Sequence, residues 1–210
     1  MKKFICYVPM QTGSNLFLSQ YEAVGNPKLQ MEDPILFPVT AIVNGYVSAG
    51  EDITIIAILE KDNPDCAENL LRLRAEIEQL ATKNEFSVRF KMVEASPVET
   101  VENQLETFSQ LISLLDNGDQ IHGCMTFGTK PIPIVEFMAM HFAYKTKTNV
   151  RIECLAYSKV NWRHAQATDM QIYDVTALFF MHEISGTLAE TGSSDPVSTI
   201  RRILNLGAKK

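Results

Sequence analysis

Short, continuous apolar runs rich in β-branched residues alternate along this chain with longer segments whose apolar residues recur every three to four positions. That alternation restricts the fold more than any other feature. Phe4 to Val8 (FICYV) and Ile53 to Leu59 (ITIIAIL) have no polar face, the pattern of parallel strands covered on both sides. Phe86 to Val93 (FSVRFKMV) alternates apolar and polar residues, as a strand near a sheet edge does. Ile121 to Thr126 and Val150 to Tyr157 (VRIECLAY) read as two further strands.

Helices are predicted between them. One spans 37–49, begun by Pro38 and stopped at Gly50. A second spans 62–84, with Asp62 or Asn63 as cap, Pro64 in the first turn, and Leu70, Leu71, Leu73, Ile77 and Leu80 at helical spacing. A third spans 97–115, with Val98, Val101, Leu105, Phe108, Leu111, Ile112 and Leu115 on one face, closed by the Asp116-Asn117-Gly118 turn signal. A fourth covers 131–146.

Five strands joined through helices imply right-handed crossovers. The expected fold class is α/β: a Rossmann-like, doubly wound, mostly parallel sheet of five or six strands flanked by helices. Residues 1–160 form this domain. Residues 161–210 are expected to be a helical C-terminal extension that completes the sheet or a dimer interface. Within it, 172–183 reads as helix, or as strand then helix, and Gly192-Ser193-Ser194 as a linker before a short basic helix over 196–206. No internal repeat occurs at a fixed period.

Composition narrows the function. At 210 residues, 46% hydrophobic and 21% charged, the chain can bury a full core. Its net charge of −6 argues against broad binding to duplex nucleic acid, which needs many phosphate-neutralising Lys and Arg. Cys6, Cys66, Cys124 and Cys154 are scattered, without a CxxC pair, so neither a disulfide framework nor a zinc site is expected. The start MKKFICYVPMQTGSN places two lysines before an apolar run, but Pro9 and Gln11 break it too early for a leader peptide. No apolar segment approaches the roughly 20 residues that cross a bilayer. A cytoplasmic protein without membrane partners is the expectation.

In an open parallel sheet, ligands bind outside the carboxyl ends of the strands. Two loops there stand out. The first strand is followed by Pro9-Met10-Gln11-Thr12-Gly13-Ser14-Asn15, small and amide side chains around a glycine that lets N–H groups approach a phosphate. The fourth is followed by Thr126-Phe127-Gly128-Thr129-Lys130-Pro131, which opens a helix. A helix amino terminus offers N–H donors and a positive dipole end, to which Thr129 adds a hydroxyl and Lys130 a charge. Neither GxGxxG nor GxxxxGK[ST] occurs, which disfavours a nicotinamide enzyme or a P-loop NTPase. His122, His141, His164 and His182 lack metal-site spacing, and His182-Glu183 reads as a surface pair. No cofactor and no metal is expected.

The segment Thr126-Phe127-Gly128-Thr129-Lys130-Pro131-Ile132-Pro133, following a strand and opening an apolar helix, resembles the signature of the CRISPR-associated Rossmann-fold (CARF) family. The Gln11-Thr12-Gly13-Ser14 loop is similar to that family's first ligand-contacting motif, and FPVTAIVNGYVSAGEDITIIAI looks like its next helix and strand. The likeness covers about residues 3 to 160. It implies a homodimer whose paired loops form one symmetric site for a ring of four or six adenylates, the second messenger of type III CRISPR defence. The implied ligand-binding residues are Met10, Gln11, Thr12, Gly13, Ser14, Thr126, Phe127, Gly128, Thr129 and Lys130. Where the family often has an acidic residue at the strand end, this chain has Cys124-Met125-Thr126.

Some CARF domains also cleave the ring without a metal, by aligning a ribose 2′-hydroxyl with the adjacent phosphate. In that event Lys130 would stabilise the phosphoryl charge, and Thr12 or Ser14 would orient the ribose. Three functions therefore stand side by side: a sensor of cyclic tetra- or hexa-adenylate, alone or attached to an effector domain; a ring nuclease; and a Rossmann-like domain for another nucleotide or a protein partner.

Overall fold

The computed structural model describes residues 1–11, 16–163 and 166–204. The described residues form two compact units, Met1–Asp174 and Val175–Lys210. In the first, a sheet is built from β1 (Lys2–Tyr7), β2 (Glu22–Val24), β3 (Asp52–Glu60), β4 (Ser87–Ala95), β5 (Gln120–Cys124), β6 (Arg151–Arg163) and β7 (Gln166–Asp174), in the order β2-β7-β6-β5-β1-β3-β4. The helices α1 (Val39–Tyr46), α2 (Pro64–Asn84), α3 (Val101–Ser113) and α4 (Pro131–Thr146) connect the parallel strands. The fold is therefore α/β and doubly wound, as the alternation predicts, with seven strands in place of five or six.

The five expected strands form the parallel block β6-β5-β1-β3-β4, and the two extra ones reverse direction. β7 pairs antiparallel with β6 as a long hairpin, and the three-residue β2 pairs with β7 at the sheet edge. Of the two expectations for 172–183, strand then helix holds. The division between the units falls after Asp174, so residues 161–174 lie in the first. The second unit holds α5 (Thr176–Thr191), ended by Gly192 in the left-handed region, and α6 (Pro196–Ile203), whose first turn is capped by the Asp195 carboxylate accepting from the Ser198 N–H.

Local chemistry explains the boundaries. α2 begins where the Asn63 side chain accepts from the N–H groups of Asp65 and Cys66, with Pro64 filling the first position. α3 starts later than its periodicity suggests, because Thr100 supplies the cap. Its expected apolar face also divides: Leu111 and Leu115 are buried, whereas Val98, Val101 and Leu105 are exposed. α1 is short because the N–H groups of Leu36 and Phe37 and the Thr40 hydroxyl all converge on the Glu76 carboxylate of α2, which fixes its start.

β1 is buried from Lys3 onward and lies inside the sheet between β5 and β3. Even Lys3, 5% exposed, is retained inside, donating to the Leu114 carbonyl and pairing with Asp116 and Asp119, each at 2.7 Å. This charge cluster sits at the amino end of the strand and locks it to the turn before β5. The four cysteines are buried and none is in a disulfide. Among the described residues, no helix is long and apolar enough to cross a membrane.

Candidate functional site

β1 lies between β3 and β5, and pairs parallel to both, with Cys6 opposite Ala57 on one side and Cys124 on the other. After an excursion to β2 at the far edge, the parallel winding runs from β1 to β3 and β4, then returns across the sheet to β5. The winding direction thus reverses between β1 and β5, and a doubly wound sheet opens a crevice at that place, outside the carboxyl ends of the strands. The two loops singled out in the sequence, after β1 and after β5, leave these two adjacent strands at the same edge.

The first loop is held from below. Asn69, fully buried on α2, donates from Nδ2 to the carbonyl oxygens of Pro9 and Gln11, both at 2.8 Å. Met10 is half-buried and Gln11 exposed. Thr12, Gly13 and Ser14 lie outside the described residues.

In the second loop, Gly128 has φ +99°, and a Cβ there would stand 3.1 Å from Tyr7 Cγ and 3.3 Å from Ile132 Cβ. The backbone conformation strains any L side chain, and a Cβ would press on both neighbours. The Thr126 hydroxyl accepts the Ser158 N–H at 3.0 Å, which ties the loop to β6. Phe127 packs its ring against the core. Thr129 is half-buried, and Lys130, the cap residue of α4, is exposed.

The expected donors of the helix end need one correction. Pro131 and Pro133 have no N–H, and the Ile132 N–H is already bonded to the Thr129 carbonyl at 3.0 Å. The donors at this point are instead the N–H groups of Gly128, Thr129 and Lys130, which have no partner among the described residues. These three consecutive amides lie ahead of the helix, next to the Lys130 side chain.

Of the residues that wall the crevice, sequence reasoning named Gln11 and Phe127 and missed the rest. A cleft of about 320 Å³ is bounded by Gln11, Phe17, Tyr21, Leu36, Phe127 and Val160. Phe17, Tyr21 and Leu36 come from the excursion between β1 and α1, and Val160 from the hairpin, neither of which carries a periodic signal. Tyr21 is 5% exposed, and burial raises its hydroxyl pKa although Ser19 and Ser158 hydrogen-bond to it. A larger cleft of about 510 Å³ runs past Asn44, Leu80 and Lys83 at the other ends of α1 and α2, away from the crevice. Its half-buried carboxylate, Glu76, already accepts from the Leu36 and Phe37 N–H groups and the Thr40 hydroxyl.

No known family model matches this chain, and no curated protein is significantly similar to it.

Proposed function

We propose that this chain is a cytoplasmic sensor domain that binds a cyclic oligoadenylate as a homodimer. The observation that carries the reading is the adjacency of the two candidate loops at the reversal point of the sheet. A polyanion needs a local grip in a chain of net charge −6. Amides 128–130 and Lys130 supply one, beside a loop held by Asn69.

The twofold partner belongs to the proposal. A ring of four or six adenylates presents repeated phosphates, which one crevice with one ammonium does not span, whereas two symmetric copies do. α4 supports this. It leaves the site loop with Ile134, Met138 and Phe142 on its outer side, 61%, 53% and 42% exposed, and no charge at any of these positions. Such a face can meet its own copy without repulsion.

The test is to incubate the protein with cyclic tetra- and hexa-adenylate, follow the thermal transition, and separate the products. At a hundredfold excess over the dissociation constant, binding to the native state raises stability by about 2.7 kcal/mol. A shift with intact ring is the expected result. Linear products would make the protein a ring nuclease, and no shift with either ring would overturn the reading. Light scattering that gives a monomeric mass with and without ring would remove the dimer.

A further inference from the structure

We infer that the open edge of β4 takes an extended acidic segment of a partner protein as an eighth strand. β4 is the last strand of the seven-stranded sheet and is paired on one side only, with β3. Two bonds fix which of its backbone groups face outward. The Ser87 N–H donates to the Glu51 carbonyl at 2.9 Å, and the Ala95 carbonyl accepts from the Lys61 N–H at 2.8 Å, both on the β3 side. Successive residues of a strand turn their N–H and C=O groups to opposite edges. The odd positions from 87 to 95 therefore serve β3, and Val88, Phe90, Met92 and Glu94 present theirs outward.

Gln110 of α3 demonstrates the pairing these groups accept. Its carboxamide oxygen accepts from the Glu94 N–H at 3.1 Å and its Nε2 donates to the Glu94 carbonyl at 3.2 Å, so one side chain takes both outward groups as a neighbouring strand would. The plug covers the carboxyl end of the edge. The outward N–H and C=O groups of Val88, Phe90 and Met92 have no partner among the described residues.

Side chains decide which strand fits. Toward α2, the Arg74 guanidinium lies 4.6 Å from the centre of the Phe90 ring and donates to Met92 Sδ at 3.4 Å, and Met92 remains 51% exposed. On the other face Arg89 and Lys91 are exposed, and Ser87 to Val93 holds no acidic residue in a chain of net charge −6. A second copy is a poor occupant. The antiparallel register that uses all three open residues sets Phe90 opposite itself and Arg89 opposite Lys91 of the second copy, twice over, and like charges so placed repel. The same cations attract Asp or Glu at every second position of an extended partner, whose alternate apolar residues then lie beside Phe90 and Met92.

Amide hydrogen exchange of the full chain, read by NMR with a peptide of four Glu-Val repeats and another of four Lys-Val repeats, tests the assignment. The acidic peptide should slow exchange about tenfold at Val88, Phe90 and Met92, and leave Arg89 and Lys91 unchanged because their N–H groups already serve β3. The lysine peptide should protect none of them. Arg89→Glu combined with Lys91→Glu, at two exposed positions, should interchange the effects of the two peptides with an unaltered thermal transition. No protection by the acidic peptide, protection without the alternation, or equal protection by both peptides would overturn the proposal. A charge-reversed variant that still prefers the acidic peptide would do the same. So would protection of these amides by a single-stranded DNA oligonucleotide, which would make the edge a nucleic-acid surface.

Discussion

Asn69, fully buried on α2, donates through Nδ2 to the Gln11 carbonyl oxygen at 2.8 Å, fifty-eight positions away in the chain. The same nitrogen also serves the Pro9 carbonyl, and Asn69 Oδ1 accepts from Arg72 at 3.2 Å. One amide on a helix thus shapes the loop after β1. Asn69→Ala leaves two carbonyls without their donor and should cost about 2–3 kcal/mol. Asn69→Asp should cost more, because it turns a carboxylate toward two carbonyl oxygens. Urea unfolding measures both, and an Asn69→Ala loss under 0.5 kcal/mol would show that water replaces the amide.

Gly128→Ala forces a side chain into a left-handed backbone position and against the Tyr7 ring. The expected cost is about 1–3 kcal/mol, by analogy with other strained positions. The variant should also lose ring affinity, since the three amides can keep their arrangement only if the loop does. Thermal unfolding alongside ring titration checks this, and a stable variant with wild-type affinity would refute it.

Lys130 offers the opposite profile. Its side chain is exposed and makes no described hydrogen bond or ion pair, so Lys130→Ala should change stability by less than about 0.5 kcal/mol. Loss of a charge-assisted phosphate contact should nevertheless weaken ring binding about tenfold, with a smaller dependence on salt. If the ring is cleaved, turnover should fall as well. Undiminished turnover in the variant would exclude that lysine from the chemistry.

His122 supplies a pH dependence unrelated to the ligand. It is 1% exposed, stacked on Phe4 at 4.3 Å and edge-on to Tyr46, and Nε2 has no hydrogen-bond partner among the described residues. Burial is the main reason its pKa is lowered to about 4. Above its ordinary value near 6.5 the ring is neutral folded and unfolded, and the full stability is present. As pH falls from there toward 4, the unfolded chain takes up a proton that the folded one refuses, and stability is lost. The loss contributed by this residue is about 3 kcal/mol by pH 4 and levels off below it. His122→Phe should flatten that part of the curve, as urea midpoints between pH 7 and 4 would reveal; equal slopes in both proteins would count against the assignment.

Much of the fold was legible because its cause is local. Apolar runs such as ITIIAIL need cover on both faces, Asn63-Pro64 caps and starts a helix, and Gly128-Thr129-Lys130-Pro131 marks a strand-to-helix turn wherever it is met. The prolines that remove the N–H groups of the first turn of α4 were equally readable. β2 was not, since three residues at an edge carry no period. The split face of α3 was not either: periodicity places Val101 and Leu105 on a stripe with Leu111, but only packing decides how much of a stripe is covered.

The sequence by itself determined the element types, the doubly wound class and the two loops at the strand ends, because propensity, capping and hydrophobic period act over a few residues. Only the tertiary structure decided that β1 and β5 are neighbours, that Asn69 holds one loop and Ser158 the other, and that Phe17, Tyr21, Leu36 and Val160 converge on one cleft. Those relations join residues dozens of positions apart. Their energies come from burial and hydrogen bonds that exist only once strand order is established, and no local pattern encodes that order.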